Sequence, residues 1–394
     1  MVLNLLLPPK PQSPDVDEAG GYTHSVSTLT NRRRPWASAI AVLLALLCWA
    51  RPELPRAQSS EPELPCAITT AERVVAIGDV HGAYDRFVGM LRAAALINDR
   101  ERWVGGRARL VQTGDVLDRG ADSRKVVDLL IRLEREAAAA GGRVHVLVGN
   151  HEFMRLIGDW RYVSPGEFKA FQNADSADLR DKLHDLNAEQ AAQRARAENR
   201  TFNAREYRAQ FFKDFPLGYF EMQRAFGKDG EYGKWVRSRV AAVKINGVLY
   251  LHGGVSDAVA NLGCQGLNAE VQRDLAAAPV PADKIMSLLS ATETGPLWYR
   301  GMASDPESTF EPMLDSILRR LGARAVVLGH TPIASGQITT RFGGRVVLID
   351  TGMLGGENYP KGTASALEMR DGALTAIYED GRRMTITAPP VATR

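Results

Sequence analysis

Acidic, imidazole and amide side chains recur in this chain at the ends of short apolar runs. Asp115 follows the run RLVQTG, and Asp118 and Arg119 come three and four positions later. A glycine before the acid lets the backbone turn sharply. Carboxylates on such a turn reach the carboxyl edge of a sheet, where α/β proteins bind ligands. The stretch LVQTGDVLDRG therefore predicts a strand that ends in a ligand-binding turn.

Four further strand-like runs end in the same kinds of residue. Together the five ends present carboxylate, imidazole and amide groups beside glycine, and they carry four of the seven histidines of the chain. The residues are Asp79 and His81 in GDVHG, Asp115 in GDVLDRG, Asn150 and His151 in GNHE, His252 in HGG, and His330 in GH. Chance placement is a poor explanation for this distribution.

The chemistry of these groups indicates bound metal. Without a cation, their convergence would place like charges and unpaired imidazoles in one cleft. The mixed donor set suits Mn, Fe or Zn, because it lacks the thiolates of structural zinc sites and the all-oxygen shell that Ca favours. There are too many ligands for one ion, whereas two ions that share a carboxylate fit the number. Such a pair can clamp a phosphoryl group and activate water for in-line attack.

The ordered motif set resembles the metallophosphoesterases, specifically their phosphoprotein phosphatase branch, and most closely the bacterial-type Shewanella-like phosphatases. The resemblance covers roughly residues 74–353. It implies an α/β fold of the α/β/β/α sandwich type, in which two central mixed sheets are flanked by helices. It also implies the metal ligands, with Asp79, His81 and His330 on one ion, Asp115 bridging both, and Asn150 and His252 completing the second.

The same resemblance implies the catalytic residues. His151 would be the general acid that protonates the leaving oxygen, and Asp118 would pair with it. A carboxylate on one ring nitrogen fixes the tautomer and keeps the imidazole protonated near neutral pH. Arg119 would present a planar fork to the phosphate oxygens. A second clamp arginine is expected in this branch, and Arg300 in GPLWYRG is the candidate from its position in the chain. Glu152 could orient a ligand, or it could be a surface cap.

These residues together predict a hydrolase of phosphate monoesters on proteins, with phosphoserine, phosphothreonine and phosphotyrosine all open. The stretch DTGMLGGENYPKG replaces the long carboxyl-terminal pattern of eukaryotic Ser/Thr phosphatases. The alternative is a nucleotide hydrolase similar to the symmetrical diadenosine tetraphosphatases, which share GDVHG. A scaffold without turnover should have lost ligands, and here none is missing. A net charge of +3 gives no electrostatic case for nucleic acid.

Some polar and aromatic residues outside the motifs are expected to be structural. Asp350 in LIDTG is interpreted as the cap of a strand, and His145 and His184 as packing residues. Trp298 either packs in the core or lines the pocket.

The order of elements favours a covered, mixed sheet system. From Arg73 onward, strand and helix patterns alternate as βαβαβ, which predicts a parallel, buried sheet. Later runs read as hairpins, one of them around Asn246-Gly247. Residues 165–234 are polar, Ala-rich and helical, and predict an insertion over the active site with little core of its own. The catalytic domain is expected over residues 66–390.

The amino terminus is expected to lie outside this domain. Residues 1–30 are predicted to be a disordered extension. In residues 31–57, three consecutive arginines, Arg32 to Arg34, precede an apolar run from Trp36 to Ala50, which is shorter than the ~20 residues of a spanning helix. They predict a signal peptide or, alternatively, an uncleaved anchor, and so a periplasmic, secreted or membrane-anchored protein. Cys66 and Cys264 could then pair in an oxidising compartment, or could be unrelated.

Overall fold

The structure is a computed structural model, and it describes residues 66–387. The expected extension and the signal or anchor segment lie outside these residues. Within the described range, the helices are all too short or too polar to span a bilayer.

The strands of this range form two six-stranded sheets. They are β1 (Ala67–Ile68), β2 (Val74–Ile77), β3 (Arg109–Gln112), β4 (Arg143–Val146), β5 (Ala242–Ile245), β6 (Val248–Leu251), β7 (Ala325–Leu328), β8 (Thr339–Arg341), β9 (Val346–Leu348), β10 (Ser365–Arg370), β11 (Ala373–Tyr378) and β12 (Arg383–Ile386).

The helices lie between these strands and on the outer faces of the sheets. They are α1 (Tyr84–Ala93), α2 (Ser123–Ala139), α3 (Asn150–Ile157), α4 (Pro165–Ala170), α5 (Ser176–Ala197), α6 (Ala204–Asp214), α7 (Tyr219–Phe226), α8 (Glu231–Arg237), α9 (Gly263–Ala277), α10 (Ala282–Ile285), α11 (Gly301–Ser304) and α12 (Glu307–Leu321).

Both sheets are mixed, as the sequence predicts. One sheet has the order β12-β11-β10-β2-β3-β4, and its β2, β3 and β4 are parallel through the crossovers α1 and α2. The other has the order β1-β5-β6-β7-β9-β8, with β6, β7 and β9 parallel. The three predicted hairpins, β5-β6, β8-β9 and β10-β11, are antiparallel pairs. Asn246 and Gly247 form the first turn with positive φ angles of 51° and 75°.

The layers stack as helix, sheet, sheet, helix, which confirms the predicted sandwich. Val74 and Ala76 of β2 face the other sheet and pack with Tyr250 and Val327. Val75 and Ile77 point the opposite way and belong to the cluster that includes α1 and α2. Residues of α9 and α12 cover the outer face of the second sheet. Both faces of β2 are therefore buried, which explains its uninterrupted apolar sequence.

Five helices, α4 to α8, begin within residues 165–234, and the last of them ends at Arg237. The expectation of little core is wrong for the second half of this region. Phe211 packs against Phe215 with ring centroids 4.7 Å apart. Met222 and Phe226 of α7 join the main core. Aromatic residues spaced four apart lie on one face of a helix, and they provide the apolar stripe that the charged sequence around them obscured.

Cys66 and Cys264 form a disulfide, so the first of the two alternatives for these cysteines is the one observed. The bond joins the residue before β1 to the start of α9, with Cα atoms 6.0 Å apart. Both cysteines are buried.

Candidate active site

The carboxyl ends of the parallel strands in both sheets meet at one place. Asp79 follows β2, Asp115 follows β3, His252 follows β6 and His330 follows β7. The backbone N–H of His330 donates to Asp79 Oδ1 at 3.0 Å, and His252 Nε2 lies 3.3 Å from Asp115 Oδ2. These contacts join one sheet to the other, and all six predicted metal ligands are buried.

Glycine is required beside the ligands because ligand side chains lie in the space that a Cβ atom would occupy. A Cβ on Gly149 would overlap the Asp115 carboxylate, and one on Gly329 would overlap that of Asp79. The ligands themselves occupy an unusual backbone region, because His81, Asp115 and His330 have φ angles of 47°, 55° and 65°. Non-glycine residues rarely adopt this left-handed conformation, and its concentration here is typical of functional sites.

Backbone carbonyls orient the candidate imidazole ligands. His81 Nδ1 lies 2.9 Å from the Leu117 carbonyl, and His252 Nδ1 lies 2.9 Å from that of Thr113. A carbonyl only accepts, so each Nδ1 carries the hydrogen and each Nε2 lone pair is available to a cation. His330 has the opposite arrangement, because its Nε2 donates to the Trp298 carbonyl at 3.1 Å.

Asp115 is common to two groups of potential ligands. One group is Asp115, His252 and His330, and the other is Asp115, His81 and His151, with ligand atoms in each group within 4.8 Å of one another. Asn150 Oδ1 lies 2.9 Å from His252 Nε2 and so adjoins the first group. His330 therefore lies with His252. The resemblance had implied a different division, in which His330 shared an ion with His81.

The buried charges of the site fit cations. Burial, and then the charge of Asp350, raises the pKa of Asp79 well above its usual value. Burial likewise raises the pKa of Asp350 to about 6, and its Oδ2 has no hydrogen-bond partner among the described residues. Burial would also raise the pKa of Asp115, but the imidazoles of His252, His151 and His81 outweigh it and hold that pKa well below normal. A buried cleft rich in carboxylates is the environment that divalent ions stabilise.

His151 and Asp118 form a buried pair beside this cluster. His151 Nδ1 lies 2.7 Å from Asp118 Oδ2, and His151 Nε2 lies 3.8 Å from Asp115 Oδ2. Burial would lower the pKa of His151, but the charges of Asp115 and Asp118 outweigh it and raise that pKa. One ring nitrogen thus holds the carboxylate of Asp118, while the other faces the ligand groups.

The two candidate phosphate-binding arginines are held by different contacts. The Arg119 guanidinium packs 4.9 Å from the Tyr162 ring centroid and 5.9 Å from that of Tyr359, and its Nε is buried without a partner in the described part of the chain. Arg300 is fixed beside His330, since its Nη1 donates to the His330 carbonyl at 2.8 Å and to the Thr331 hydroxyl at 3.1 Å.

Comparison with known proteins identifies the family. The model of calcineurin-like phosphoesterases matches residues 72–334. The chain belongs to this family. It is therefore a hydrolase of phosphate esters, and calcineurin-like phosphoesterases bind two metal ions.

Relatives of this phosphoesterase include Shewanella-like phosphatases, which confirms the resemblance of the motifs. An uncharacterised protein of Schizosaccharomyces pombe is 32% identical over 71% of this chain and 73% of its own length. Shewanella-like protein phosphatase 1 of Plasmodium berghei is 28% identical over 77% of this chain and 74% of its own. The solved cold-active protein-tyrosine phosphatase of a psychrophilic Shewanella species has a TM-score of 0.60 and 28% identity, and 82% of each chain is covered.

Glu152 ties two loops of the phosphoesterase together. Its Oε2 accepts from the N–H groups of Asp115 and Gly149, both at 2.8 Å, and its Oε1 accepts from those of Val116 at 2.9 Å and Leu117 at 3.2 Å. The side chain is buried, so surface capping is excluded. Glu152 instead fixes the backbone of the loops that carry Asp115 and Asn150.

Sequence reasoning missed Asp350 and Tyr359 at the site, and it left Trp298 open between core packing and pocket lining. Asp350 was expected only to cap a strand, but it lies against Asp79, and the strand-end acid rule applied to β9 would have found it. The Tyr359 ring lies 6.2 Å from His81 and nearly parallel to it. The Trp298 ring lies 5.9 Å from His330, so it borders the site. No motif identified Tyr359, because it comes from a glycine-rich loop far along the chain.

Proposed function

We propose that this phosphoesterase removes phosphate from proteins, with phosphotyrosine as its foremost substrate class. The observation that carries the proposal is the His151–Asp118 pair. Nε2 of His151 lies 3.8 Å from Asp115 Oδ2 in the ligand cluster, and both His151 and Arg119 pack against the Tyr162 ring. The similarity to a solved protein-tyrosine phosphatase and to a Shewanella-like protein phosphatase supports the choice of substrate.

Six residues would hold the two ions, which we propose to be Mn, Fe or Zn. They are Asp79, His81, Asp115, Asn150, His252 and His330, and the adjacent Asp350 carboxylate contributes further negative charge. When bound, the ions supply charge neutralisation of the phosphoryl oxygens and activation of the attacking water.

The side chains of the protein bind the substrate and move the proton. Arg119 and Arg300 orient the phosphate, and the rings of Tyr162 and Tyr359 hold the Arg119 guanidinium in place. His151 donates the proton on Nε2 to the leaving oxygen as the P–O bond breaks. Asp118 remains a carboxylate, and it fixes the tautomer and ring orientation of His151 through the 2.7 Å hydrogen bond.

We also propose that the enzyme acts outside the cytoplasm, either periplasmic or secreted, or anchored through its amino-terminal apolar segment. The Cys66–Cys264 disulfide supports this location, because structural disulfides persist in oxidising compartments.

The test of the proposed function compares three substrates with the full-length, manganese-loaded protein. These are a phosphotyrosine peptide, a phosphoserine peptide and diadenosine tetraphosphate, each followed by chromatography of the products. We expect the phosphotyrosine peptide to give the highest kcat/KM. Preference for the dinucleotide would contradict the proposal.

Variants separate the general acid from the metal ligands. His151→Asn is expected to keep its metal content and to lose ~10²–10⁴-fold in kcat, which is the range that general acids contribute. Asp79→Asn is expected to lose bound metal. His184→Asn is the matched control, because His184 is a buried histidine that pairs with Asp185 on α5, outside the ligand cluster.

A further inference from the structure

A buried arginine lies behind the catalytic pair and takes no part in the chemistry described so far. Arg155 is on α3, one helical turn after His151, so both side chains leave the same face of the helix. The Arg155 side chain is fully inaccessible to solvent. It therefore cannot contact substrate, and any effect on the reaction must pass through its neighbours.

Arg155 and His151 hold the same carboxylate by different oxygens. Arg155 Nη2 forms a short contact with Asp118 Oδ1, while His151 Nδ1 lies 2.7 Å from Asp118 Oδ2. Both carboxylate oxygens are thus occupied, and the plane of the Asp118 carboxylate is fixed. The rotation of that carboxylate sets the direction of the hydrogen bond to His151, and hence the direction of the imidazole.

The insertion contributes a second acid to this network. Glu167 of α4 accepts from Arg155 Nη2 at 3.4 Å and from the backbone N–H of Asp118 at 3.3 Å. It also accepts from the backbone N–H of Ser164 at 3.2 Å, which anchors the start of α4. One guanidinium therefore lies between two buried carboxylates, and it links the insertion to the loop that carries Asp118.

The surroundings of Arg155 hold its guanidinium in place from the remaining sides. The guanidinium carbon lies 5.1 Å from the Trp160 ring centroid and 4.9 Å from that of Phe226, and Nη1 contacts Met222 Sδ at 3.4 Å. Its Nε is buried without a partner among the described residues. A buried ion pair with an unsatisfied donor contributes little net stability, and apolar side chains often serve better at such positions. Stability alone is therefore a poor reason for an arginine at this position.

We propose that Arg155 is a positioning residue, which fixes the Asp118 carboxylate so that His151 points its Nε2 at the leaving oxygen. This inference rests on the proposed function, because it assigns His151 the role of general acid. It predicts that loss of the guanidinium weakens proton donation more than phosphate binding.

Dependence on the leaving group distinguishes positioning from a purely structural role. A good leaving group such as p-nitrophenolate needs little proton donation, whereas phenolate and the serine alkoxide need much more. We expect Arg155→Met in the metal-loaded full chain to lose at least ~10-fold more kcat on phenyl phosphate than on p-nitrophenyl phosphate. KM should change little on either substrate. Arg155→Lys keeps the charge but not the fork, and should fall between wild type and Arg155→Met.

Two further variants calibrate the measurement. His151→Asn sets the largest leaving-group dependence that loss of the acid can produce. Arg237→Met is the control, because Arg237 is a half-buried arginine far from the catalytic pair, and its donors go to backbone carbonyls such as those of Gly233 and Ala278. It should affect both substrates by the same factor. An equal loss on both substrates in Arg155→Met would overturn the inference, as would no loss at all.

A spectroscopic readout keeps the inference testable apart from turnover. In the zinc-loaded full chain, the hydrogen on His151 Nδ1 should give a strongly downfield proton resonance, assigned by its absence from His151→Asn. We expect Arg155→Met and Arg155→Lys to shift or broaden it, and Arg237→Met to leave it in place. An unchanged resonance in both Arg155 variants would contradict the inference. If wild type gave this resonance but hydrolysed no monoester, the proposed function would fail while the positioning role could still be judged.

Discussion

Glu152 is the residue on which the geometry of two candidate ligands depends. Its carboxylate accepts four backbone N–H groups from the loops of Asp115 and Asn150. In Glu152→Gln, an amide NH₂ would face N–H donors, and at least one of them would lose its partner. Each buried, unsatisfied group costs about 1–3 kcal/mol. We expect a comparable loss in the free energy of unfolding of the metal-free protein, together with weaker metal binding.

Urea unfolding and metal titration test this prediction for Glu152. Glu134→Gln is a suitable control, because Glu134 bonds to Trp235 and Arg239 and does not contact the strand-end loops. If Glu152→Gln bound metal as tightly as wild type, Glu152 would have no part in shaping the site.

His145 gives the protein a sensitivity to acid that is separate from the active site. Burial, followed by the charges of Arg109 and Arg143, lowers the pKa of His145 to about 3. In the unfolded chain its pKa is ~6.5, so between these values the unfolded state binds more protons than the folded state. Stability is therefore lost as pH falls below ~6.5, with a slope of at most ~1.4 kcal/mol per pH unit from this residue.

The substitution His145→Gln removes the titrating group and should flatten this part of the pH dependence. Urea unfolding of wild type and variant at a series of pH values between neutral and mildly acidic gives the difference in slope. Parallel curves would show that His145 does not titrate differently in the two states.

Individual site residues could be predicted where a local sequence pattern identified them. The strand-end pattern identified Asp79, Asp115 and His252 without structural information, because the end of a parallel strand fixes where its next residues lie. The same pattern in LIDTG was interpreted as a cap, and Asp350 was missed. Arg155 could not be found this way, since its role depends on a carboxylate from another loop.

At the scale of elements, the helices of the insertion divide into a part that builds the core and a part that does not. Residues of α7 and α8 belong to the main core, whereas α5 is mostly exposed. The chain leaves and re-enters this exposed part at neighbouring points, since Gln172 Nε2 donates to the Leu217 carbonyl at 3.1 Å. A short Gly-Ser link can therefore replace residues 177–214, which contain none of the residues of the three hydrophobic clusters between and around the sheets.

This excision tests whether the insertion shapes substrate choice. We expect turnover of p-nitrophenyl phosphate to persist, while kcat/KM for a phosphopeptide falls about tenfold, equivalent to ~1.4 kcal/mol of lost contacts. The excised protein should also carry Phe215→Ser and Phe220→Ser. Phe211 of α6 packs against both rings, so its removal would expose them to solvent. The full-length double variant is the control. An unchanged ranking of substrates would mean that α5 and α6 do not contact the peptide.

The elements were predictable individually, but their arrangement in the sheets was not. Local periodicity and turn residues located the βαβαβ opening and the three hairpins. No local sequence pattern predicted that β10 lies antiparallel beside β2, or that β1 lies parallel beside β5. Such pairings join residues far apart in the chain, and they are selected by burial of both sheet faces, which no local pattern records.

At the scale of the whole molecule, the Cys66–Cys264 disulfide closes most of the described chain into one loop. The two cysteines are 198 residues apart, and the bond ties the two-residue edge strand β1 to α9. A cross-link that closes so long a loop lowers the conformational entropy of the unfolded chain. It thereby stabilises the folded state by ~5 kcal/mol in the chain-entropy treatment and by about 2–4 kcal/mol in typical measurements. We expect Cys66→Ser/Cys264→Ser to lower the free energy of unfolding by an amount in this range.

Reduction of the disulfide in wild type can be compared directly with its removal in the double variant. The reductant should be a phosphine that binds metal weakly. It should lower the Tm of wild type to that of the double variant and leave the variant unchanged, while metal content stays constant in both. Because β1 is short and pairs only with β5 in its sheet, the loss should appear first as faster amide exchange in β5. If the reductant shifted both proteins equally, the disulfide would have no part in stability. If only wild type responds, part of its stability depends on the oxidised disulfide, which agrees with the proposed location outside the cytoplasm.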